Sequence, residues 1–178
     1  MGRSKQLLPL GPKPVIRHCL DSVIEAGIRD IVVVLGRESG GIAAAIGGLP
    51  VRTAVNNDRQ SDMAGSVRKG LGEIDPASAG VLICLSDHPL VSADTIATII
   101  GTHHAAADSI IIPIHNARRG HPTLFPRAVI EEIFFAPTLR DVIASNAGLV
   151  RTVEVDDEGV ILDLDTPEDY ERITGRSS

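Results

Sequence analysis

The chain predicts an α/β fold, a mostly parallel, mixed sheet in three layers with helices covering both faces. Three observations carry that expectation. Short apolar runs alternate with segments of helical period along the whole length. The run Val81-Leu82-Ile83-Cys84-Leu85 is polar-free and rich in β-branched residues, as a strand buried on both faces of a parallel sheet should be. Polarity then switches abruptly at Ser86-Asp87-His88-Pro89, which sets a carboxylate at the carboxyl end of that strand. Open α/β sheets bind their ligands at that end. Asp87 has a second reading there, as a turn residue working with Pro89.

The elements follow in order. Residues 1–13 hold Gly2, Gly11, Pro9 and Pro12 with the basic Arg3, Lys5 and Lys13, and read as loop. Pro14 opens a helix in its first turn, where a missing N–H is harmless. Val15, Cys19, Leu20, Val23 and Ile24 fall at helical spacing, and Gly27 ends the helix. Ile28 to Leu35 contains a buried strand stopped at Gly36. Ile42 to Ile46 reads as a short helix, Val51 to Val55 as a weaker strand, and Asn56-Asn57-Asp58 as a turn. In the helix that follows, Met63, Val67 and Leu71 share one face, and its N-terminal end points toward the same sheet edge as Asp87. The Val81–Leu85 strand leads through Ser92, an N-cap, into a helix over 92–107.

The second half is less regular. Ser109 to Ile114 is a strand whose Pro113 marks an interruption or an edge position. Arg118-Arg119-Gly120-His121-Pro122 is a basic turn. Pro126 to Ile133 and Thr138 to Ser145 read as helices, and Leu149 to Val155 alternates like a half-exposed strand. These features leave room for an antiparallel pair. Val160 to Asp165 reads as a short strand with carboxylates near its end. Thr166 then caps a helix with Pro167 at its first position and Asp169 three residues after the cap, and the tail from Gly175 reads as frayed. No internal repeat or linker divides the chain, so one domain is expected. A right-handed βαβ unit needs a strand before the first helix, and none is visible. Either the fold tolerates that gap, or the chain start lies downstream of the ancestral one. A lost central strand would open the edges of its two neighbours and predict a dimer, an occupied edge or reduced stability.

Composition narrows the function. Three Phe, one Tyr and no Trp argue against base-stacking nucleic-acid modules. A net charge of −6 argues against a polyanion-binding surface, though not against a local phosphate pocket. Cys19 and Cys84 lie in apolar contexts with no CxxC, as core thiols in a reducing compartment do. No run is long enough for a membrane span and no signal peptide is visible, so a soluble cytoplasmic protein is expected.

Three groups could carry chemistry. Asp87, Asp163 and Asp165 lie near strand ends and could hold Mg²⁺, which takes few carboxylates and keeps phosphate oxygens and waters; equally, Asp165 faces outward and Asp163 caps a loop. Lys5, in a flexible glycine-containing segment, is either a solvated surface lysine or a point charge for a phosphate. The Arg118-Arg119-Gly120-His121-Pro122 turn allows close backbone approach at Gly120, with His121 able to bond a polar ligand or a phosphate, or is structural. His18, His88, His103, His104 and His115 show no metal-ligand spacing. G-x-S-x-G, Walker and G-x-G-x-x-G motifs are absent.

Taken together the motifs resemble the molybdenum-cofactor nucleotidyltransferases, the MobA-like NTP transferases, and especially the cytidylyltransferases. MGRSKQLLPL is similar to RMGxxKxLLPL, NNDRQSDMAGSVRKGL to NP…GMxxSLRxGL, LSDHPLVS to LGDQPLVS, RRGHP to RGHP, and ILDLDTPEDY to DIDTPEDY. The resemblance runs from residue 1 to about 170 and implies a single domain with a Rossmann-like nucleotide-diphospho-sugar transferase fold. It implies transfer of CMP from CTP to molybdopterin or its molybdenum form with release of pyrophosphate, with GTP as the alternative donor. Lys5 and Asp87 are then catalytic. Lys5, Asn56, Met63, Ser66 and Asp87 are nucleotide-binding. Asp87 with Asp163 or Asp165 holds Mg²⁺ or Mn²⁺, and Gly120, His121 and Pro122 face the pterin. A molybdoenzyme is an implied partner. The chain departs from the pattern: it starts at the Met-Gly closing LAAGxSxRMG, without the glycine-rich triphosphate loop, and carries Ser86, His88 and Asp62 where the family has Gly, Gln and Gly. A non-catalytic cofactor binder is therefore a further expectation.

Overall fold

The computed structural model describes residues 4–58 and 60–175. The readings placed on Gly2, Arg3 and residues 176–178 lie outside them.

The opening segment is more ordered than a loop. A 3-10 turn at Lys5–Leu7 leads into β1 (Pro9–Leu10), which pairs antiparallel with β2 (Lys13–Pro14). Gly11 makes the turn between them at φ 59°, a conformation glycine takes at no steric cost. Leu10 is fully buried with Val15, Leu164 and Ile173. That anchor fixes the segment carrying Lys5. Pro14 is the N-cap of α1 (Val15–Glu25) rather than its first residue. The helix buries Val15, Ile16, Leu20 and Val23 along one stripe and ends before Gly27 at φ 87°.

Next, β3 (Val32–Gly36) runs through α2 (Gly40–Ala45) to β4 (Arg52–Asn56), its parallel partner. The helix α3 (Met63–Leu71) follows, with Asp62 as its N-cap accepting the Gly65 N–H at 2.8 Å. The second half is built from β5 (Gly80–Ile83), α4 (Ala93–Ala105), β6 (Ile110–His115), β7 (Arg118–Arg119), β8 (Thr123–Pro126), α5 (Arg127–Ile130), α6 (Leu139–Ser145), β9 (Val150–Glu154) and α7 (Pro167–Thr174). Among the described residues no helix is long and apolar enough to cross a membrane.

The sheet is mixed, but it is not mostly parallel. The larger sheet runs β5–β8–β6–β7 with β9 also on β6. Its β5–β8, β6–β8 and β6–β7 pairings are antiparallel, and β6–β9 is parallel. The cause is local. After β6 the chain reverses through Asn116 and Ala117, both at positive φ, and such a tight turn makes antiparallel neighbours without a crossover helix. The β8 strand was not anticipated: it fills the gap between the turn at 118–122 and the helix expected from Pro126, and takes Pro126 as its last residue. Pro113 is not at an edge, since β9 pairs along β6 through it, but the ladder on the other side is interrupted there. It falls where β6 changes partner from β8, at Ile111, to β7, at Ile114.

Two further expectations are corrected. All four residues of β5 are half-buried, because β8 is its single partner among the described residues. Val160–Asp165 is not a strand: Glu158–Ile161 is a 3-10 turn, and residues 162–165 run on outside any ladder. Both faces of the large sheet are nevertheless covered. Val81 and Ile83 join the cluster of Ile110, Ile112, Phe125 and Ile130 on one face, whereas Leu82 joins Ile99, Ile111 and Leu124 on the other. That alternation is the period-two signature of a strand covered on both sides.

Candidate active site

Three distant segments meet at the carboxyl end of β5. The Lys5 Nζ donates to Asp87 Oδ2 at 2.7 Å and to Asp165 Oδ1 at 2.6 Å. The Gln6 carboxamide adds a bond to Ser86 Oγ at 3.2 Å. Asp165 arrives because Leu164 is fully buried and its N–H bonds the Asp87 carbonyl at 3.0 Å. Burial pulls the Lys5 ammonium toward neutrality, but the bonds to Asp165 and Asp87 outweigh it and hold its pKa above the ordinary lysine value.

Asp87 carries an unspent acceptor. Its Oδ1 is buried and has no hydrogen-bond partner among the described residues. A buried carboxylate oxygen left unmatched is costly. It is a place for a second cation beside Lys5, and hard divalent ions favour such oxygens. Asp163 is exposed, as Asp165 is, and alternates with the buried Leu162 and Leu164. Its charge acts on His121. Among the described residues no three His, Cys, Asp or Glu side chains converge on one ion position. Asp87 and Asp165 are the carboxylates that share a cation, and that cation is Lys5.

The Gly120-His121-Pro122 turn is held against the 158–161 turn. The His121 N–H bonds the Val160 carbonyl at 2.8 Å, and the Gly120 N–H bonds the Pro113 carbonyl at 2.9 Å. A Cβ on Gly120 would overlap the Val160 carbonyl, so glycine is required by close approach. The His121 ring meets His88 edge-on, with centroids 5.5 Å apart, and its Nδ1 is buried without a hydrogen-bond partner among the described residues. Burial, then His88, push its pKa below the usual imidazole value, against the pull of Asp87 and Asp163. His121 and Pro122 line a narrow cavity with Cys19, Cys84 and His88. Burial, then the neighbouring Cys84 and Asp87, push the Cys19 thiol up to about 12, so it is an unreactive thiol at neutral pH.

On its other side His121 lines a cavity of about 580 Å³ with Ile83, Phe125, Arg119 and Arg140 among its walls. Met63, 53% exposed, contributes to this cavity. Asn56 works locally: its Nδ2 bonds Ser61 Oγ at 2.6 Å, and its Oδ1 accepts the Asp58 N–H at 3.1 Å. The Ser66 N–H bonds the Asp62 carbonyl within the first turn of α3. Among the described residues no hydrogen bond joins Asn56, Met63 or Ser66 to the Lys5–Asp87–Asp165 cluster. Arg119 belongs to the basic turn that the sequence singles out, whereas sequence reasoning missed Gln6 and Arg140. No local pattern marks them, because each is defined by what the chain brings to it from elsewhere.

A profile of the MobA-like NTP transferase domain matches residues 1–149. The chain is 25% identical to the nicotine blue oxidoreductase of Paenarthrobacter nicotinovorans, over 97% of its own length and 89% of that protein. It is 27% identical to the bifunctional protein GlmU of Mycobacterium sp. (strain KMS) over 82% of this chain, and spans 32% of that relative's length. The structure of Rv0371c from Mycobacterium tuberculosis H37Rv in complex with manganese is similar at a TM-score of 0.82 and 29% identity, over 98% of this chain and 93% of that one.

Proposed function

The chain belongs to the MobA-like NTP transferase family, a nucleotidyltransferase family, and on that premise we propose that it moves a nucleotidyl group from a metal-bound nucleoside triphosphate to an oxygen of a small acceptor. The donor in this reading is CTP and the acceptor molybdopterin or its molybdenum form, both on the strength of the LSDHPLVS and RRGHP motifs. The observation that carries the reaction class is the Lys5 ammonium held between Asp87 and Asp165, with Asp87 Oδ1 open.

In the reaction the acceptor oxygen bonds to the α-phosphorus. The bond from that phosphorus to the bridging oxygen breaks, and pyrophosphate leaves with the electron pair. Positioning and charge neutralisation do most of such catalysis. Lys5 balances charge on the α- and β-phosphates and keeps the two carboxylates in register. The residues fit a divalent ion: Asp87, with Asp165 and with Asp163 nearby, would hold Mg²⁺ or Mn²⁺. When bound, that ion supplies further neutralisation of the phosphates. The manganese in the related Rv0371c structure supports a divalent ion. Asn56 and Ser66 lie on the nucleotide side of this reading and Gly120, His121 and Pro122 on the acceptor side, while Met63, expected on the nucleotide side, lines the same cavity as His121.

Calorimetric binding of CTP and GTP with Mg²⁺ tests the donor. Micromolar CTP binding supports the cytidylyl reading, tighter GTP binding replaces the donor, and binding of neither leaves a non-catalytic cofactor binder. Asp87→Ala should lower turnover by roughly 10³-fold or more while the melting transition stays cooperative. Normal turnover in that variant would sink the role of Asp87.

A second reading comes from the match to nicotine blue oxidoreductase along nearly the whole chain, together with the apolar cavity. It is reduction of a flat organic substrate. The missing G-x-G-x-x-G fingerprint weighs against it. Consumption of NADH with a redox dye, in a protein that binds no CTP, would put it first.

A further inference from the structure

We propose that the 580 Å³ cavity holds the acceptor of this transfer, and that the acceptor is an organic anion with an apolar body, its acid group gripped between Arg119 and Arg140. The proposal rests on the nucleotidyl-transfer reading for its role, takes its chemistry from the cavity itself, and replaces the pterin acceptor of that reading with an acceptor of apolar body. A volume of about 580 Å³ suits a small organic molecule. His121 lines both this cavity and the narrow one beside His88, so the cavity begins one side chain from the Asp87 segment.

The walls select the body. Ile112 and Phe125 are 4% and 1% exposed, and Ile83 and Ile143 flank them. Apart from the two arginines, His121 and Thr123 supply the polar lining side chains. A pterin presents several donors and acceptors around its ring, each of which needs a partner once buried. These walls offer few. An aliphatic or carbocyclic body loses nothing there and gains burial of its apolar surface.

The arginines select the anion. They come from different elements, β7 and α6, and line the same cavity. Some arginines are engaged: Arg127 pairs with Glu131, Arg52 with Asp30, and Arg68 donates to two backbone carbonyls. Arg119 and Arg140 differ from the other exposed arginines without a side-chain partner among the described residues, Arg29, Arg37, Arg118 and Arg151, in lining one cavity. Among the described residues neither Arg119 nor Arg140 meets a carboxylate or a carbonyl, in a chain of net charge −6. An open guanidinium fork recognises a phosphate or carboxylate by paired hydrogen bonds, and two forks specify one anionic group.

The test uses three probes of similar size: 1-naphthyl phosphate, 1-naphthol and pterin-6-carboxylate. Their binding is followed by fluorescence on the whole chain and on the Arg119→Gln/Arg140→Gln double variant. Naphthyl phosphate should bind about tenfold or more tighter than either other probe, and the double variant should erase its advantage over naphthol. Both arginines are exposed, so the variant is expected to fold; if it does not melt cooperatively, Arg140→Gln alone should lose a measurable part of the advantage. Equal binding of naphthol and naphthyl phosphate to the unaltered chain overturns the anion site. Tighter binding of pterin-6-carboxylate overturns the apolar body. Calorimetry of Mg·CTP on the same protein reports the nucleotide side separately. A chain that binds naphthyl phosphate as stated but no nucleotide refutes the transfer reading and keeps the cavity's chemistry.

Discussion

His103 shows what a single side chain does to the molecule. It lies in the last turn of α4, 4% exposed, against the backbone of Gly80, and among the described residues neither ring nitrogen has a hydrogen-bond partner. Burial pushes its pKa below the ordinary imidazole value of 6.5, and His104 adds to that against the nearby Ser109 backbone and Asp108. The sign of the stability effect follows. The unfolded chain takes up this proton at a higher pH than the folded one. The stability held above pH 6.5 is therefore lost as pH falls through the folded value. His121 shifts the same way and contributes to the same slope. His103→Leu removes two unmatched polar atoms and one titrating group. Urea midpoints at pH 7 and pH 5 should show the variant at least as stable at pH 7 and less sensitive to acid. An unchanged slope would move the acid sensitivity to His121. Lys5 acts at the opposite end of the scale: its raised value leaves its contribution intact below about pH 10.5 and loses it above.

At the scale of elements, the helix after Asp87 is capped from a distance. Asp157 Oδ2 accepts the Ser92 N–H at 2.9 Å, Ser92 Oγ at 2.9 Å and Thr95 Oγ1 at 2.7 Å, while its Oδ1 takes the Gly159 N–H at 2.9 Å. One carboxylate thus ties the start of α4 to the turn whose Val160 carbonyl fixes His121. Asp157→Ala should cost about 2–3 kcal/mol in a denaturant titration, since several charge-assisted bonds are lost, although Ser92 Oγ still accepts the Thr95 N–H as the local N-cap. A loss below about 0.5 kcal/mol would mean that water replaces the carboxylate in full. The sequence could not announce this cap, because Ser92 and Asp157 are 65 residues apart. It did announce the local ones. Thr166, Pro167 and Asp169 form the capping box their spacing predicted, because that signal lies within four residues. The same divide runs through the site. Asp87 at a strand end was legible from one abrupt change of polarity, and Asp165 from its short carboxylate pair. The Lys5 bridge between them and the Val160 carbonyl that demands Gly120 exist only after the chain folds. The β8 strand was missed because its three residues before Pro126 are too short a run to signal a strand, and only pairing with β5 and β6 defines it.

For the whole molecule the question is whether two separate sheets unfold as one. Among the described residues β3 and β5 each have one ladder partner and do not pair with each other. What joins the sheets is side-chain packing. Ile16, Leu20, Ile31, Val91, Ile96 and Val160 form one buried cluster, and Val33 of β3 and Leu82 of β5 both pack against it. The Lys5–Asp87–Asp165 cluster sits above the end of β5 and so depends on that join for its geometry. Ile96 is 2% exposed within it and belongs to α4, the helix that Asp157 caps. Ile96→Ala should remove about 2–4 kcal/mol of stability, the usual loss when a buried isoleucine leaves a cavity. Amide hydrogen exchange then distinguishes two kinds of molecule. If the cluster makes one cooperative unit, slow amides in β3 and in β6 lose protection by the same amount. If β3 and β4 lose protection while β6 keeps it, the small sheet opens on its own. In that case the Val33 side of the join would be a low-stability flank, and the Asp87 site would rest on the large sheet alone.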